Sequence, residues 1–341
     1  MTDGIYTLAN DAVLDQLIAF LNSVEANAGG YPVAVFAYDE QISQVAAEIE
    51  RRPHVTLLAA PELFAPWEEF SRQVWDTHPT ALKQWQAQGI QGVRRIGANH
   101  RYAAFDEAAP FERFIYFDAD VVVLNSVEFI FNQLDHDDTV IYDFQFKDPS
   151  HIFNLDSPYF KTLFTPEQLG TQIFCSGFFA SHRGRFPVTE RQWLVEQLAT
   201  GEADLLYPRA PNQSLLNYMM LRSQKSIYNF AIHLPPTEST GCAVTSTHFE
   251  ERDVATQGQA QRLVFDHGKR LTFLHYIGVG AGIFKRLTQG ENLDCPYRET
   301  FLAYRFLHHP DQRPQLRGKP QPLHRPPSLL KRISKKLGLR F

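Results

Sequence analysis

The stretch Phe114-Ile115-Tyr116-Phe117-Asp118-Ala119-Asp120-Val121-Val122-Val123-Leu124 sets two carboxylates, two residues apart, between two apolar β-rich runs. A strand that ends in such a pair carries both acids to the mouth of its sheet. Like charges this close repel unless a cation neutralises them. A hard divalent ion held by one or two carboxylates, with phosphate oxygens and water in its other positions, suits the spacing. A plain turn is the bland alternative, because Asp commonly ends strands.

The surroundings favour a sheet open to a ligand. Upstream, residues 4–9 read as a first strand, and residues 11–27 as a helix with Leu14, Leu17, Ile18 and Leu21 on one face. Asn10 and Asp11 stand between them, where a cap belongs. Residues 33–38 read as a second strand, 41–51 as a helix and 55–58 as a short third strand. A longer polar and aromatic region follows, with a helix over 99–107 before the strand 114–117. Downstream, 139–144 and 172–180 read as strands, and 189–200 and 212–222 as helices. Residues 235–262 read as a polar flap, and 271–276 as a strand running into Gly278, Gly280 and Gly282. Strands alternating with helices from the first residues predict an α/β fold, a mainly parallel mixed sheet flanked by helices. Ligands of such sheets bind beyond the carboxyl ends of the strands.

Composition narrows the class further. The 341 residues are 44% apolar and 21% charged, with a formal net charge of −5. These values exclude a fully disordered chain, a collagen-like repeat and a disulfide-stapled miniprotein. Cys175, Cys242 and Cys295 form no CxxC pair and no zinc pattern, which points to a reducing compartment. No basic region leads into an apolar core at the N-terminus, so no secretory signal is read. Residues 273–284 are interrupted by His275 and fall short of the roughly 20 residues a spanning helix needs. The expected location is cytoplasmic, extending to the inner face of a membrane. Nine Lys and Arg against the single acid Asp311 fill residues 311–341, so the rest of the chain is acidic. An acidic body excludes a nucleic-acid binder, which carries its basic face on the fold.

Two chemistries use an apolar strand ending in Asp-x-Asp. Haloacid-dehalogenase-type phosphatases place a small hydroxyl residue shortly after the first Asp, where this chain has Val121 and Val122. Nucleotide-sugar transferases use the pair to hold a metal on the donor diphosphate, and the position and flanks favour these. The chain resembles the GT-A-fold glycosyltransferases of family 8, which include glycogenin and bacterial lipopolysaccharide galactosyltransferases. The matching stretches, in order, span about residues 5–280.

That resemblance implies a role for each matching residue. Thr7-Leu8-Ala9-Asn10-Asp11 is similar to the family's first-strand nucleotide pocket, and Arg101 matches a basic position that reaches the donor. Asp118-Ala119-Asp120 matches the metal motif. Phe174-Cys175-Ser176-Gly177-Phe178 resembles the strand that lines the donor sugar. Asn212-Gln213-Ser214-Leu215-Leu216-Asn217 resembles the Asp-Gln-x-x-Leu-Asn helix start, with Asn212 and Gln213 near the reacting sugar. His275-Tyr276-Ile277-Gly278 resembles the segment whose His completes the metal shell. Cys175 stands where the family has Asn, Asn212 where it has Asp, Val13 where a Tyr packs on the base, and Ala281 where a Lys is expected. The resemblance implies a metal-dependent retaining transferase using Mn²⁺ or Mg²⁺ and a nucleoside-diphosphate sugar, expected to be UDP-linked. Its acceptor would be a glycan or a lipid-linked glycan. The rivals are a metal-dependent phosphatase or nucleotidyltransferase on the same carboxylates, and a catalytically silent nucleotide-sugar-binding protein.

Residues 1–309 are expected to form the catalytic domain, with 1–145 the nucleotide half and 146–309 the acceptor half. Six prolines make 310–327 an extended linker. In residues 328–341, Leu329, Leu330, Ile333 and Leu337 share one helical face, and Lys331, Arg332, Lys335 and Lys336 occupy the remainder. Such a segment suits an in-plane helix on an anionic membrane surface.

Overall fold

Strand β1 (Asp3–Ala9) is apolar on both sides: Ile5 and Ala9 face one packed layer, Tyr6 and Leu8 the other. It lies inside a seven-stranded sheet built with β2 (Val33–Ala37), β3 (Val55–Leu58), β4 (Arg113–Phe117), and, beyond the separate strand β5 (Val121–Val123), with β6 (Thr139–Ile141), β7 (Phe178–His182) and β8 (Ile227–Asn229). Their order is β3-β2-β1-β4-β7-β6-β8. Neighbours run parallel except β7, which is antiparallel to both β4 and β6. The sheet is therefore mainly parallel and mixed, as predicted. The described residues are 2–233, 243, 245–256 and 259–323 of a computed structural model.

Each face has its own apolar cover. Leu17, Phe20, Leu21 and Val24 of the helix Leu14–Asn27 pack on Ile115 and Phe117. Phe64, Trp67, Phe70 and Val74 of the helix Pro61–Asp76 cover the opposite face with Tyr102 and Phe105. Burying a large apolar side chain stabilises by about 1.5–3 kcal/mol, so these layers fix the sheet. A third layer holds the C-terminal part, where β9 (Glu250–Thr256), β10 (Gln259–Asp266) and β11 (Lys269–Arg270) form an antiparallel sheet. Strand β12 (Phe273–His275) pairs antiparallel with β5, setting His275 opposite Val121.

Several boundaries differ from the sequence reading. The helix expected over 99–107 is a tight 3₁₀ segment, Ile96–Phe105, sealed inside the protein from Gly97 onward. The helix at 11–27 starts with a 3₁₀ turn capped by Asn10, whose side chain accepts from the Ala12 amide. Only Phe178–His182 of the stretch around 172–180 joins the sheet. Part of the expected flap is the β9–β10 hairpin. Within the proline-rich stretch, β14 (Arg317–Gln321) is extended but not free, since it pairs in parallel with β13 (Glu291–Leu293). The expected amphipathic segment 328–341 lies outside the described residues. No helix of the described residues is long and apolar enough to cross a membrane.

Candidate active site

Strand β4 places Tyr116 and Asp118 on one side of the chain, because side chains alternate along a strand. The chain then turns, with the Val121 amide donating to the Asp118 carbonyl, and returns as β5. The turn is pinned from both sides. The Asp118 amide donates to the Gly177 carbonyl at 2.9 Å, and the Tyr276 amide to the Asp120 carbonyl at 3.0 Å. The β5–β12 pairing therefore carries a distant ring to the two acids. His275 Nε2 lies 3.1 Å from Asp120 Oδ1, and one ligand atom from each of Asp118, Asp120 and His275 falls within 4.8 Å of the others. Two carboxylates and an imidazole at this spacing can hold a divalent ion such as Mn²⁺ or Mg²⁺.

The electrostatics show two acids that call for a positive charge. Burial opposes charge on the Asp120 carboxyl, yet the His275 charge and hydrogen bond hold it below the usual carboxylate range. The ring is buried too, and Asp120 and Asp118 raise its pKa against that burial. Gly177 permits the convergence: a Cβ there would overlap His275 Cε1 and stand 3.0 Å from Asp118 Oδ2. The close approach of these groups requires glycine.

Arg101 is 4% exposed. Its Nε donates to the Ala98 carbonyl at 2.8 Å and its Nη1 to the Ser176 carbonyl at 2.7 Å. The same Nη1 lies 3.1 Å from Asp118 Oδ1, and the guanidinium stacks over the Tyr116 ring. Although burial opposes its charge, Asp118 raises its pKa and keeps it cationic. Tyr116 Oη donates to the same Asp118 oxygen at 2.7 Å. Arg101 and Tyr116 thus anchor Oδ1 of Asp118, while Oδ2 faces the Gly177–His275 side.

Ser176 links this centre to the second half of the chain. Asn212 Nδ2 donates to Ser176 Oγ at 3.1 Å, and the Ser176 amide donates to Gln213 Oε1 at 3.2 Å. Asn212 and Gln213 sit in the first turn of the helix Pro211–Arg222. The predicted sugar-side residues therefore meet at one place.

A cleft of about 530 Å³ opens at the carboxyl ends of the strands. Leu8, Ala9, Asn10, Arg101, Asp118, Ala119, Asp120 and Gly278 all line it. Thr7, Ser176 and Gly177 do not: all three are buried, and the Thr7 hydroxyl is unpartnered among the described residues. Asn10 is held by Asp39, whose Oδ2 accepts from Asn10 Nδ2 at 2.7 Å. Gly278 has φ 83°, a left-handed turn that brings Gly280 and Ala281 to the cleft. There the helix Ala281–Thr288 begins with no side-chain cap, so its first amides are open to an anion. A larger cavity of about 710 Å³ lies at the other ends of the strands, beside Val33, Val55 and Glu48. It is at the wrong end of the sheet for a ligand site of this topology.

Sequence reading missed several groups. Tyr116 sits in the quoted stretch, and its parity with Asp118 is the signal. Tyr38 and Arg95 also line the cleft, as does Gln16, which is buried with Oε1 unpartnered among the described residues. Asp143 follows β6, and its Oδ2 accepts from the Cys175 amide at 3.0 Å. Burial pushes its carboxyl up to about 6 despite that bond.

No protein-family model matches the chain, and no curated protein matches it in sequence. Among solved structures it is similar to galactosyltransferase LgtC in complex with donor and acceptor sugar analogues. The TM-score is 0.52 at 14% identity, over 89% of this chain and 95% of that one. It is also similar to the bifunctional glycosyltransferase WbbM in its apo form, with a TM-score of 0.51 at 10% identity, over 92% of this chain and 52% of that one. The chain has the GT-A fold that the sequence resemblance implied.

Proposed function

We propose that this protein is a metal-dependent retaining glycosyltransferase, moving a sugar from a nucleoside diphosphate, expected to be UDP, to a glycan or lipid-linked acceptor. The observation that carries the reading is the meeting of Asp118, Asp120 and His275 at the mouth of the sheet. With Mn²⁺ or Mg²⁺ bound there, the three residues would hold a Lewis acid against the donor's diphosphate.

The remaining roles belong to the chain's own groups. Arg101 and Tyr116 fix the Asp118 carboxylate, so it needs no reorganisation when charge develops. The open amides at the start of the helix Ala281–Thr288 offer the diphosphate a second positive pole. Leu8, Ala9 and Asn10 shape the nucleotide end of the cleft, and Asp39 orients Asn10. Ser176 and Gly177 flank the sugar position, with Asn212 and Gln213 held on Ser176. No side chain is assigned as a nucleophile.

The test is release of nucleoside diphosphate by the full chain from a nucleotide-sugar panel with Mn²⁺. Asp120→Asn should lower turnover at least about a hundredfold, since a metal ion supplies several kcal/mol of charge stabilisation. Its melting profile should stay close to that of the parent. Undiminished turnover would remove the reading, and phosphate release from simple esters alone would select the phosphatase instead. Residues 328–341 are proposed as the membrane contact on their sequence pattern. Equal partitioning onto anionic liposomes with and without residues 324–341 would refute this.

A further inference from the structure

A second cluster of metal-ligating groups lies away from the cleft, where β10 turns into β11. Asp266 ends β10, and His267 and Gly268 form the two-residue turn, with φ 45° and 80°. His248 comes from the segment ahead of β9. Its Nε2 lies 3.1 Å from Asp266 Oδ1, and His267 Nε2 lies 3.7 Å from the same oxygen. One ligand atom from each of the three residues falls within 4.8 Å of the others.

The carboxylate is the telling member. Asp266 is 2% exposed, and its Oδ2 is buried with no hydrogen-bond partner among the described residues. A buried carboxylate oxygen without a donor is costly unless a cation compensates it. The two rings approach from the outside, each more than a third exposed, so a hydrated ion can reach them. The two imidazoles are ion-pair partners of this carboxylate. Neutral imidazoles are ligands, whereas protonated ones would be needed to balance the charge without a metal.

We propose that His248, Asp266 and His267 form a second cation site, for a borderline divalent ion of the Zn²⁺ class. Two imidazole nitrogens and one carboxylate oxygen make three legs of a tetrahedron, leaving one position for water. This donor set differs from the carboxylate-rich centre of the cleft, and the role follows from what the residues connect. The segment carrying His248 is tied to β12 where the Ala243 amide donates to the His275 carbonyl at 2.8 Å. It is tied again where Tyr297 bonds to the Ser246 carbonyl and accepts from the Phe249 amide. An ion at His248 would fasten this segment to the β10–β11 turn and stiffen the support behind His275.

The experiment uses the full chain carrying Asp120→Asn, which weakens the cleft site. The protein is stripped with chelator, dialysed and titrated with Co²⁺, whose visible bands report tetrahedral nitrogen and oxygen ligation. The expected result is one tightly bound equivalent with those bands. Adding His248→Gln, or separately His267→Gln, should abolish the bands and weaken that equivalent at least about a hundredfold, beyond the loss seen for outer-shell partners. His267 is an exposed turn residue, so its variant tests the site even where His248→Gln fails to fold. No tight Co²⁺ binding, or binding unchanged by both substitutions, would overturn the proposal.

Discussion

Gly177→Ala adds one methyl group at the most crowded point of the site, and the structure states what it would meet. The new Cβ would overlap His275 Cε1 and stand 3.0 Å from both His275 Nδ1 and Asp118 Oδ2. Gly177 does not have a left-handed φ, so the substitution tests space and not backbone strain. Relief by moving the glycine is blocked, because its carbonyl accepts from the Asp118 amide and Phe178 next to it is registered on Phe117. The ring must yield instead. Overpacking of this kind costs about 1–3 kcal/mol of stability. Displacing His275 from the proposed metal site should raise the Mn²⁺ concentration for half-maximal turnover by at least the ~10–100-fold seen when supporting partners of ligands are lost. Urea unfolding of the metal-free protein measures the first effect, and a Mn²⁺ titration of turnover the second. A double-mutant cycle isolates the cause. In a His275→Ala background only the 3.0 Å contact with Asp118 Oδ2 remains, so Gly177→Ala should then cost clearly less than in the parent, far from additive. Equal costs in the two backgrounds, or a Gly177→Ala protein with unchanged metal dependence, would refute the placement of His275 in the site.

Arg101→Met should lower unfolding stability by about 1–3 kcal/mol, because it leaves the Ala98 and Ser176 carbonyls without their donor and Asp118, which is partly exposed in the cleft, without its cation. A loss below about 1 kcal/mol in urea would show that the ion pair is dispensable. Asn217→Ala should cost about 2–4 kcal/mol, since Asn217 satisfies both the amide and the carbonyl of Phe174; an unchanged urea midpoint would argue against that bridge. Asp143 gives a pH prediction. Its folded carboxyl is raised from 3.8 to about 6, so the native state binds the proton more tightly than the unfolded chain. Stability is fully supported below about pH 4 and declines as pH rises through 6, by at most about 3 kcal/mol. Asp143→Asn should flatten the pH 4–6 slope of stability in metal-free protein, and an unaltered slope would assign it to other groups.

The sheet and its acids were legible because they follow from short-range patterning. The apolar strands at residues 4–9, 33–38 and 114–117 are read from their own composition, and the acids from their place after the last of them. His275 was legible only through its resemblance, since the β5–β12 pairing that delivers it is a long-range contact. The helix Pro61–Asp76 was missed although Phe64, Trp67, Phe70 and Val74 carry a helical stripe; aromatic density and Pro66 masked the period. The stretch 172–180 shows a deeper limit. Its residues Phe174, Cys175 and Ser176 read as strand but have side chains as hydrogen-bond partners. Asn217 serves Phe174, Asp143 the Cys175 amide and Gln213 the Ser176 amide. Buried backbone groups must be paired, and here three side chains do what a neighbouring strand would do. That arrangement frees the backbone from ladder geometry just where Ser176 must take up Arg101 and Asn212, and where Gly177 must leave room for His275. The helix-start motif at residues 212–217 is therefore first a device for shaping the chain beside the acids. A requirement imposed by contacts between distant segments leaves only scattered Asn, Gln and Asp residues as its trace.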